Sequence, residues 1–430
     1  MKKAEALMKF IDKSPSVYHA IKNAGEFLEA KGFVHLNRED TFELKPQGRY
    51  FVTNNGSALI AWQMPKSGNA ENGFRIVGSH SDSPTFRIKP NPEIKVNNHY
   101  LKLNTEGYGG VILSTWFDRP LSAAGRVIIK TDDLLKPEVK LINFDKNLLT
   151  IPSLAIHMNR EVNDGYKFNK QKDTLPLIAL INEKLEEKGF LMNLIAEEAG
   201  VTVDKILDFD LYLYDRQPGC FIGANDEFFS VGRIDNLGMA CASIDALGDA
   251  LPSNFVQVAA IFDNEEVGSR TAQGAGSPFL HDTLQRIIVS TSKGNAFEEL
   301  QKALAKSFLI SADQAHALHP NYTEKNDITN FPLMNKGPAI KVAASMSYTT
   351  DGISAAIFRD ICARAKVPCQ NFVNRSDMAG GSTIGPISVS NLNIKSVDIG
   401  NPILGMHSVR ELGGTEDQEY ITKAFAEFYK

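Results

Sequence analysis

Five apolar, strand-like runs in this chain each stop on an acidic residue or a histidine. They are "RIVGSHSD" (His80, Asp82), "FFSVGRIDN" (Asp235), "VQVAAIFDNEEVGS" (Glu265, Glu266), "SFLISADQAHALHP" (Asp313, His316, His319) and "NPILGMHSVRE" (His407). Near-continuous apolar runs suit strands buried on both faces, as in sheets covered by helices. Such sheets bind ligands outside the carboxyl ends of their strands. Five runs finishing on ligand-type side chains therefore predict an α/β fold whose strand ends converge on one polar site.

The intervening segments divide the chain. In "SPSVYHAIKNAGEFLEAKGF", Ser14 or Ser16 caps a helix, Pro15 suits its start and Gly32 ends it, with Tyr18, Ile21, Ala24, Phe27 and Leu28 on one face. "GSALIAW" and "FRIVGSH" read as strands. From Pro90 onward the pattern becomes short β-like runs ("EIKVNNHYLKL", "GVILSTWF", "AGRVIIK"). A helix-prone stretch, "ALINEKLEEKGFLMNLIAEEAG", and the strand "DFDLYLYD" follow. After Phe228 the α/β pattern resumes: "NLGMACASIDALGDAL" and "TTDGISAAIFRDICARAKV" as helices, and "FVQVAAIFD", "LQRIIVSTS", "SFLISAD" and "IKSVDIGNP" as strands. The economical reading is an α/β sandwich domain, residues 1–91 and 229–430, interrupted by a smaller, mainly-β domain at 92–228.

Bulk properties narrow the partners. With 430 residues, 43% hydrophobic and 23% charged, the chain suits about two or three domains of a globular protein. A net charge of -5 gives no reason to expect nucleic acid or anionic membrane as a partner. No apolar stretch approaches the roughly 18 residues of a membrane span, and the start "MKKAEALMKFIDKSPS" does not read as a signal peptide. Cys220, Cys241, Cys362 and Cys369 are too scattered for a disulfide framework or a thiolate zinc site, so the cytoplasm is the expected compartment.

Carboxylates gathered at one sheet edge repel unless something positive neutralises them. Imidazole with carboxylate and no thiolate suits zinc, manganese or cobalt. A pair of such ions about 3.5–4 Å apart needs a shared carboxylate and further ligands on each side. Glu265 and Glu266 fit a division into one ligand and one base. His80 and Asp82, two apart on an extended chain, point the same way and can converge. Asp235 also suits a helix N-cap, which is compatible with metal binding. In "ADQAHALHP", residue chemistry leaves Asp313, His316 and His319 as competing ligands.

Ten blocks, in one order, carry a more specific likeness: "SPSVYHAI", "GSHSDSPTFRIKP", "TWFDRPLSAAGRV", "PSLAIHMNR", "DEFFSVGRIDNL", "DNEEVGS", "SADQAHALHPNY", "KGPAIK", "GSTIGP" and "MHSVRE". Almost end to end, the chain resembles peptidase family M18, the aspartyl aminopeptidases. The resemblance implies two zinc ions: His80 and Asp313 complete one site, Glu266 and His407 the other, and Asp235 bridges them. It implies Glu265 as the general base acting on the attacking water, and Asp82 as the acceptor that holds the His80 ring. His319 stays as a supporting or structural group, and Asp377 in "RSDMAGGST" is left out.

The same resemblance implies an enzyme that takes peptides with a free N-terminus and assembles as a homo-oligomer, a dodecamer built through the inserted domain. His157, in "LAIHMNR", then reaches the site of a neighbouring subunit and contacts substrate. Lys341, in "KGPAIK", supplies a cation for an acidic first residue, Asp or Glu. Three alternatives are set against this reading: a preference for neutral first residues, another hydrolase with a similar metal pair, and a non-catalytic assembly or cargo protein. The last is disfavoured because all five ligand positions and the base are present.

Overall fold

The computed structural model describes residues 1–181 and 189–430. Its largest sheet has nine strands, in the spatial order Val34–His35, Arg49–Asn54, Ala58–Gln63, Val256–Phe262, Phe74–His80, Phe308–Ala312, Lys395–Gly400, Ala339–Val342 and Gln370–Val373. The four strands Val256–Phe262, Phe74–His80, Phe308–Ala312 and Lys395–Gly400 run parallel. Their registers put Phe262 opposite His80 and Ala312 opposite Ile399, so the four finish at one edge.

Every residue of Val256–Phe262 and of Phe308–Ala312 is buried, as their uninterrupted apolar sequences require. Successive side chains enter opposite layers. Ala259 and Ile261 pack with Leu28, Leu247, Phe358 and Phe425; Val258, Ala260 and Phe262 pack with Leu284, Ile288 and Leu300. Helices thus cover both faces, giving the expected α/β sandwich. Each buried Leu, Ile or Phe contributes about 1.5–3 kcal/mol through area removed from water.

A six-stranded antiparallel sheet has the order Glu138–Asn143, Leu121–Ile129, Ile206–Asp215, Thr85–Val96, Tyr100–Tyr108 and Leu177–Leu180. It has a core of its own, which includes Phe86, Trp116, Val127, Ile195 and Leu211. Thr85–Val96 begins before the expected boundary at residue 92, and its first residues lead out of the His80 strand end. Cys220–Ile222, inside the expected insertion, pairs with Phe228–Val231 of a third sheet, completed by Glu411–Gly414, Pro402–Leu404 and Ala315–His316.

Two expected strands are not strands. "LQRIIVSTS" lies in the helix Phe279–Thr291, whose buried Phe279, Leu280, Leu284, Ile287 and Ile288 recur at helical spacing. The apolar run was too short to reveal that period. In "GVILSTWF", Leu113–Trp116 forms a 3-10 turn, because Gly109 with φ +71 bends the chain and Trp116 turns in to pack edge-on against Phe86. Of the helix-prone stretch, Phe190–Ala199 is helical and Leu177–Leu180 is a strand; residues 182–188 lie outside the described residues. Among the described residues, no helix is long and apolar enough to cross a membrane.

Candidate metal centre

The expected residues meet where the parallel strands end. His80 is the last residue of Phe74–His80, and Asp313 follows Phe308–Ala312 directly. Glu265 and Glu266 occupy a 3-10 turn just beyond Val256–Phe262. Asp235 opens the helix Ile234–Gly248, and His407 lies in the turn between Pro402–Leu404 and Glu411–Gly414. The Asp313 backbone crosses so close to Gly400 that a Cβ there would overlap the Asp313 carbonyl, so only glycine serves at that position.

Asp235 sits in the middle. Its Oδ1 lies 3.5 Å from His80 Nε2, and its Oδ2 lies 3.4 Å from His407 Nε2. His80 Nε2 is also 3.5 Å from Asp313 Oδ1, and His407 Nε2 is 3.3 Å from Glu266 Oε2. Two groups of ligand atoms, one from His80, Asp235 and Asp313 and one from Asp235, Glu266 and His407, each fall within 4.8 Å of one another. A third group joins His80, Glu265 and Glu266 at the same limit. Glu265 Oε2 stands 4.0 Å from His80 Nε2.

These spacings fit a cation better than hydrogen bonds. Nitrogen-to-oxygen bonds favour about 2.7–3.2 Å, whereas ligand atoms roughly 2.1 Å from a tetrahedral ion stand about 3.4 Å apart. Asp235 Oδ1, Glu266 Oε1 and Asp313 Oδ1 are buried with no hydrogen-bond donor. Such orphaned oxygens are costly unless an ion takes the donors' place.

The protons tell the same story. Burial opposes charge on the His80 ring, but Asp235, Asp313 and Asp82 outweigh it and lift its pKa well above the usual imidazole value. Burial also opposes a charged His407, yet Asp235 and Glu266 push it up to about 11. For Asp235, burial works upward, and His407 and His80 overcome it to hold the carboxyl well below the usual carboxylate range. Burial raises both Glu265 and Glu266. Without a cation the centre balances its charge with protons; a bound cation displaces them.

Asp82 ties the arrangement together. Its Oδ1 lies 3.3 Å from His80 Nδ1 and accepts the Glu265 N–H, while Oδ2 accepts the Glu266 N–H and the Tyr108 hydroxyl. Lys341 is buried, with Nζ 3.3 Å from Asp313 Oδ2 and 5.6 Å above the Tyr348 ring. Burial alone would lower the Lys341 pKa, but Asp313 and then Tyr348 raise it above the ordinary value. Lys341, Tyr348, Phe372 and Thr383 wall a cleft of about 320 Å³ that opens onto the centre.

Other candidates lie apart. His157 is exposed on a loop between Glu138–Asn143 and Leu177–Leu180 and does not line this cleft. His319 faces the Tyr322 ring at 5.0 Å in a neighbouring cavity, and Asp377 pairs with Arg375 at 2.7 Å. His316 shares the cleft wall but pairs its backbone with the third sheet. Asp235 is not a side-chain helix cap; its carboxylate turns to the two imidazoles. Tyr108 and Tyr348 carried no signal in the sequence, because neither follows an apolar strand run.

A parallel α/β sheet with imidazoles and carboxylates clustered at its carboxyl edge defines a metal-dependent hydrolase-type centre. The family model described as Aminopeptidase I zinc metalloprotease (M18) matches residues 10–429. M18 family aminopeptidase 2 of Clostridium acetobutylicum is 51% identical over 426 residues, covering 99% of this chain and 98% of that protein. Its namesake in Pseudomonas aeruginosa is 42% identical over 428 residues, covering 99% and 97%. Among solved structures, the Ape4 and Nbr1 complex matches with TM-score 0.95 and 38% identity, over 99% of this chain and 85% of that one. The S. cerevisiae mApe1 dodecamer matches with TM-score 0.86 and 26% identity, over 99% and 96%. The chain belongs to the peptidase M18 family and is a metallo-aminopeptidase.

Proposed function

We propose that this aminopeptidase holds two divalent cations, zinc before manganese or cobalt, and releases an N-terminal Asp or Glu from peptides. The observation that carries the two-ion reading is Asp235, whose two oxygens face different imidazoles. His80 and Asp313 would hold one ion, Glu266 and His407 the other, and Asp235 both. When bound, the ions supply Lewis acidity that polarises the scissile carbonyl and eases ionisation of water.

The remaining steps belong to the chain's own groups. Glu265 takes the proton from the attacking water and returns it to the leaving amine. Burial, which raises its pKa, suits it to that exchange near neutral pH. Asp82 fixes the ring of His80 at Nδ1, through its backbone carbonyl at 3.1 Å and its carboxylate at 3.3 Å. The carboxylates around the centre receive the free α-amino group of the substrate, which limits cleavage to the first residue. Lys341 faces the cleft and meets an acidic side chain there; a metal-bound Asp313 would leave that charge available.

The alternative, a preference for neutral residues, draws support from the 3.3 Å pairing of Lys341 with Asp313, which already balances the lysine. Rates on Asp-, Glu- and Leu-anilides, measured after chelation and re-addition of Zn, Mn or Co, separate the two. Faster Leu release would overturn the acidic preference, and undiminished activity in the metal-free protein would overturn the metal mechanism.

We read residues 92–228 as the inserted domain that joins subunits into a homo-oligomer, a dodecamer as in the yeast relative. The loop around His157 exposes Leu154, Ile156 and Met158 at 53%, 45% and 74%, an apolar surface that a neighbouring subunit would cover. His157 would thereby reach the neighbour's substrate. Four free cysteines suit a reducing compartment, and we place the enzyme in the cytoplasm.

A further inference from the structure

A second buried carboxylate, Glu411, lies behind the half of the centre formed by Asp235, Glu266 and His407. It is 2% exposed and has no salt-bridge partner among the described residues. Both of its oxygens are engaged by backbone: Oε2 accepts the Asp235 N–H at 2.9 Å, and Oε1 accepts the His407 N–H at 2.9 Å. A carboxylate desolvated to that extent is unfavourable unless its hydrogen bonds repay the loss of water.

The two amides come from distant segments. Glu411 begins the strand Glu411–Gly414 and stands in register with Val231, four residues before Asp235. His407 precedes it in a tight turn with φ +69, a left-handed conformation that a non-glycine residue rarely adopts without support. The Asp235 backbone leaves helical geometry although it lies in the first helical turn. Glu411 therefore grips two unusual backbone positions at once, in the manner in which Asp82 grips Glu265 and Glu266.

We infer that Glu411 is a positioning residue: by clamping the amides of Asp235 and His407 it sets the geometry of the site of Glu266 and His407, two of whose ligands it holds, more than that of the other site, which shares only Asp235. The inference rests on the two-ion reading above. A glutamine at 411 keeps the shape but offers one oxygen and one N–H₂, so one of the two amides loses its acceptor. Groups that orient ligands typically control metal affinity by about 10- to 100-fold.

The test is zinc titration of the chelated full-length protein by calorimetry, for wild type, Glu411→Gln and Glu411→Asp. A His407→Ala control identifies which binding step belongs to that half. Glu411→Gln is expected to weaken that step about 10- to 100-fold and the other, which shares only Asp235, by a smaller factor, with excess zinc restoring kcat. Should circular dichroism show Glu411→Gln unfolded, Glu411→Asp carries the test, with the same step weakened more than the other. Equal affinity at both steps, or equal loss at both, overturns the inference. Wild type binding fewer than two zinc ions instead overturns the two-ion reading.

Discussion

The hydroxyl of Tyr108, on the antiparallel sheet, donates a 2.7 Å hydrogen bond to Oδ2 of Asp82 at the edge of the parallel sheet. The same hydroxyl accepts the Asn264 side-chain amide at 2.9 Å. One bond thus links the antiparallel sheet to the carboxylate that faces His80. A hydrogen bond to a charged group contributes about 1.5–3 kcal/mol. Tyr108→Phe is expected to lower kcat/KM by about 10- to 100-fold while Asp82 keeps its two backbone donors. Steady-state kinetics alongside thermal melting would check this; unaltered kinetics would remove Tyr108 from the site.

Glu265 has no place in either ligand set built around Asp235, and its Oε2 stands 4.0 Å from His80 Nε2. Glu265→Gln keeps its size and removes its basicity. The expected result is a fall in kcat of about 10²- to 10⁴-fold, the usual contribution of a general base, with metal content unchanged. Metal analysis and turnover on the same preparation decide it. Loss of metal in step with activity would make Glu265 a ligand instead.

His157 and the exposed apolar side chains beside it make a prediction of a different kind. His157→Ala is expected to abolish most turnover while fold, metal content and assembly stay intact. Mixing this variant with a metal-site variant should recover activity, because each supplies what the other lacks. Unchanged turnover in His157→Ala would rule out a contribution across the subunit interface.

Stability toward acid should depend on His19. Burial first, then Lys22, pushes its imidazole from 6.5 down to about 4, and its Nδ1 lies 2.8 Å from Ser16 Oγ. The unfolded chain takes up this proton near pH 6.5 and the folded chain only near pH 4. Stability from this group is therefore complete above the higher value and lost as pH falls through that window. His19→Gln is expected to flatten the decline of melting temperature between those limits. An identical slope in both proteins would show that His19 is freely protonated in the fold.

Much of the centre was legible because its residues obey one rule: each closes or follows an apolar run, and parallel strands end together. His80, Glu266 and Asp313 share that placement, while Asp235 and His407 follow apolar strands of the third sheet that end beside them. The rule could not choose among Asp313, His316 and His319, since all follow the same strand. In the fold, His316 goes to the third sheet and His319 to a neighbouring cavity. Tyr108 and Glu411 stayed hidden for another reason. Tyr108 reaches Asp82 from another sheet, and Glu411 reaches Asp235 from a strand far along the chain; such long-range contacts leave no local pattern. The helix Phe279–Thr291 escaped because a run of few residues does not distinguish a buried helix from a strand.

The most direct measurement is a crystal structure of the protein with excess zinc, read by anomalous scattering at the zinc edge. Two peaks about 3.5–4 Å apart are expected, one on each side of the Asp235 carboxylate, ligated by His80 and Asp313 and by Glu266 and His407. A single peak, or none with these side chains turned away from one another, would contradict the two-ion centre.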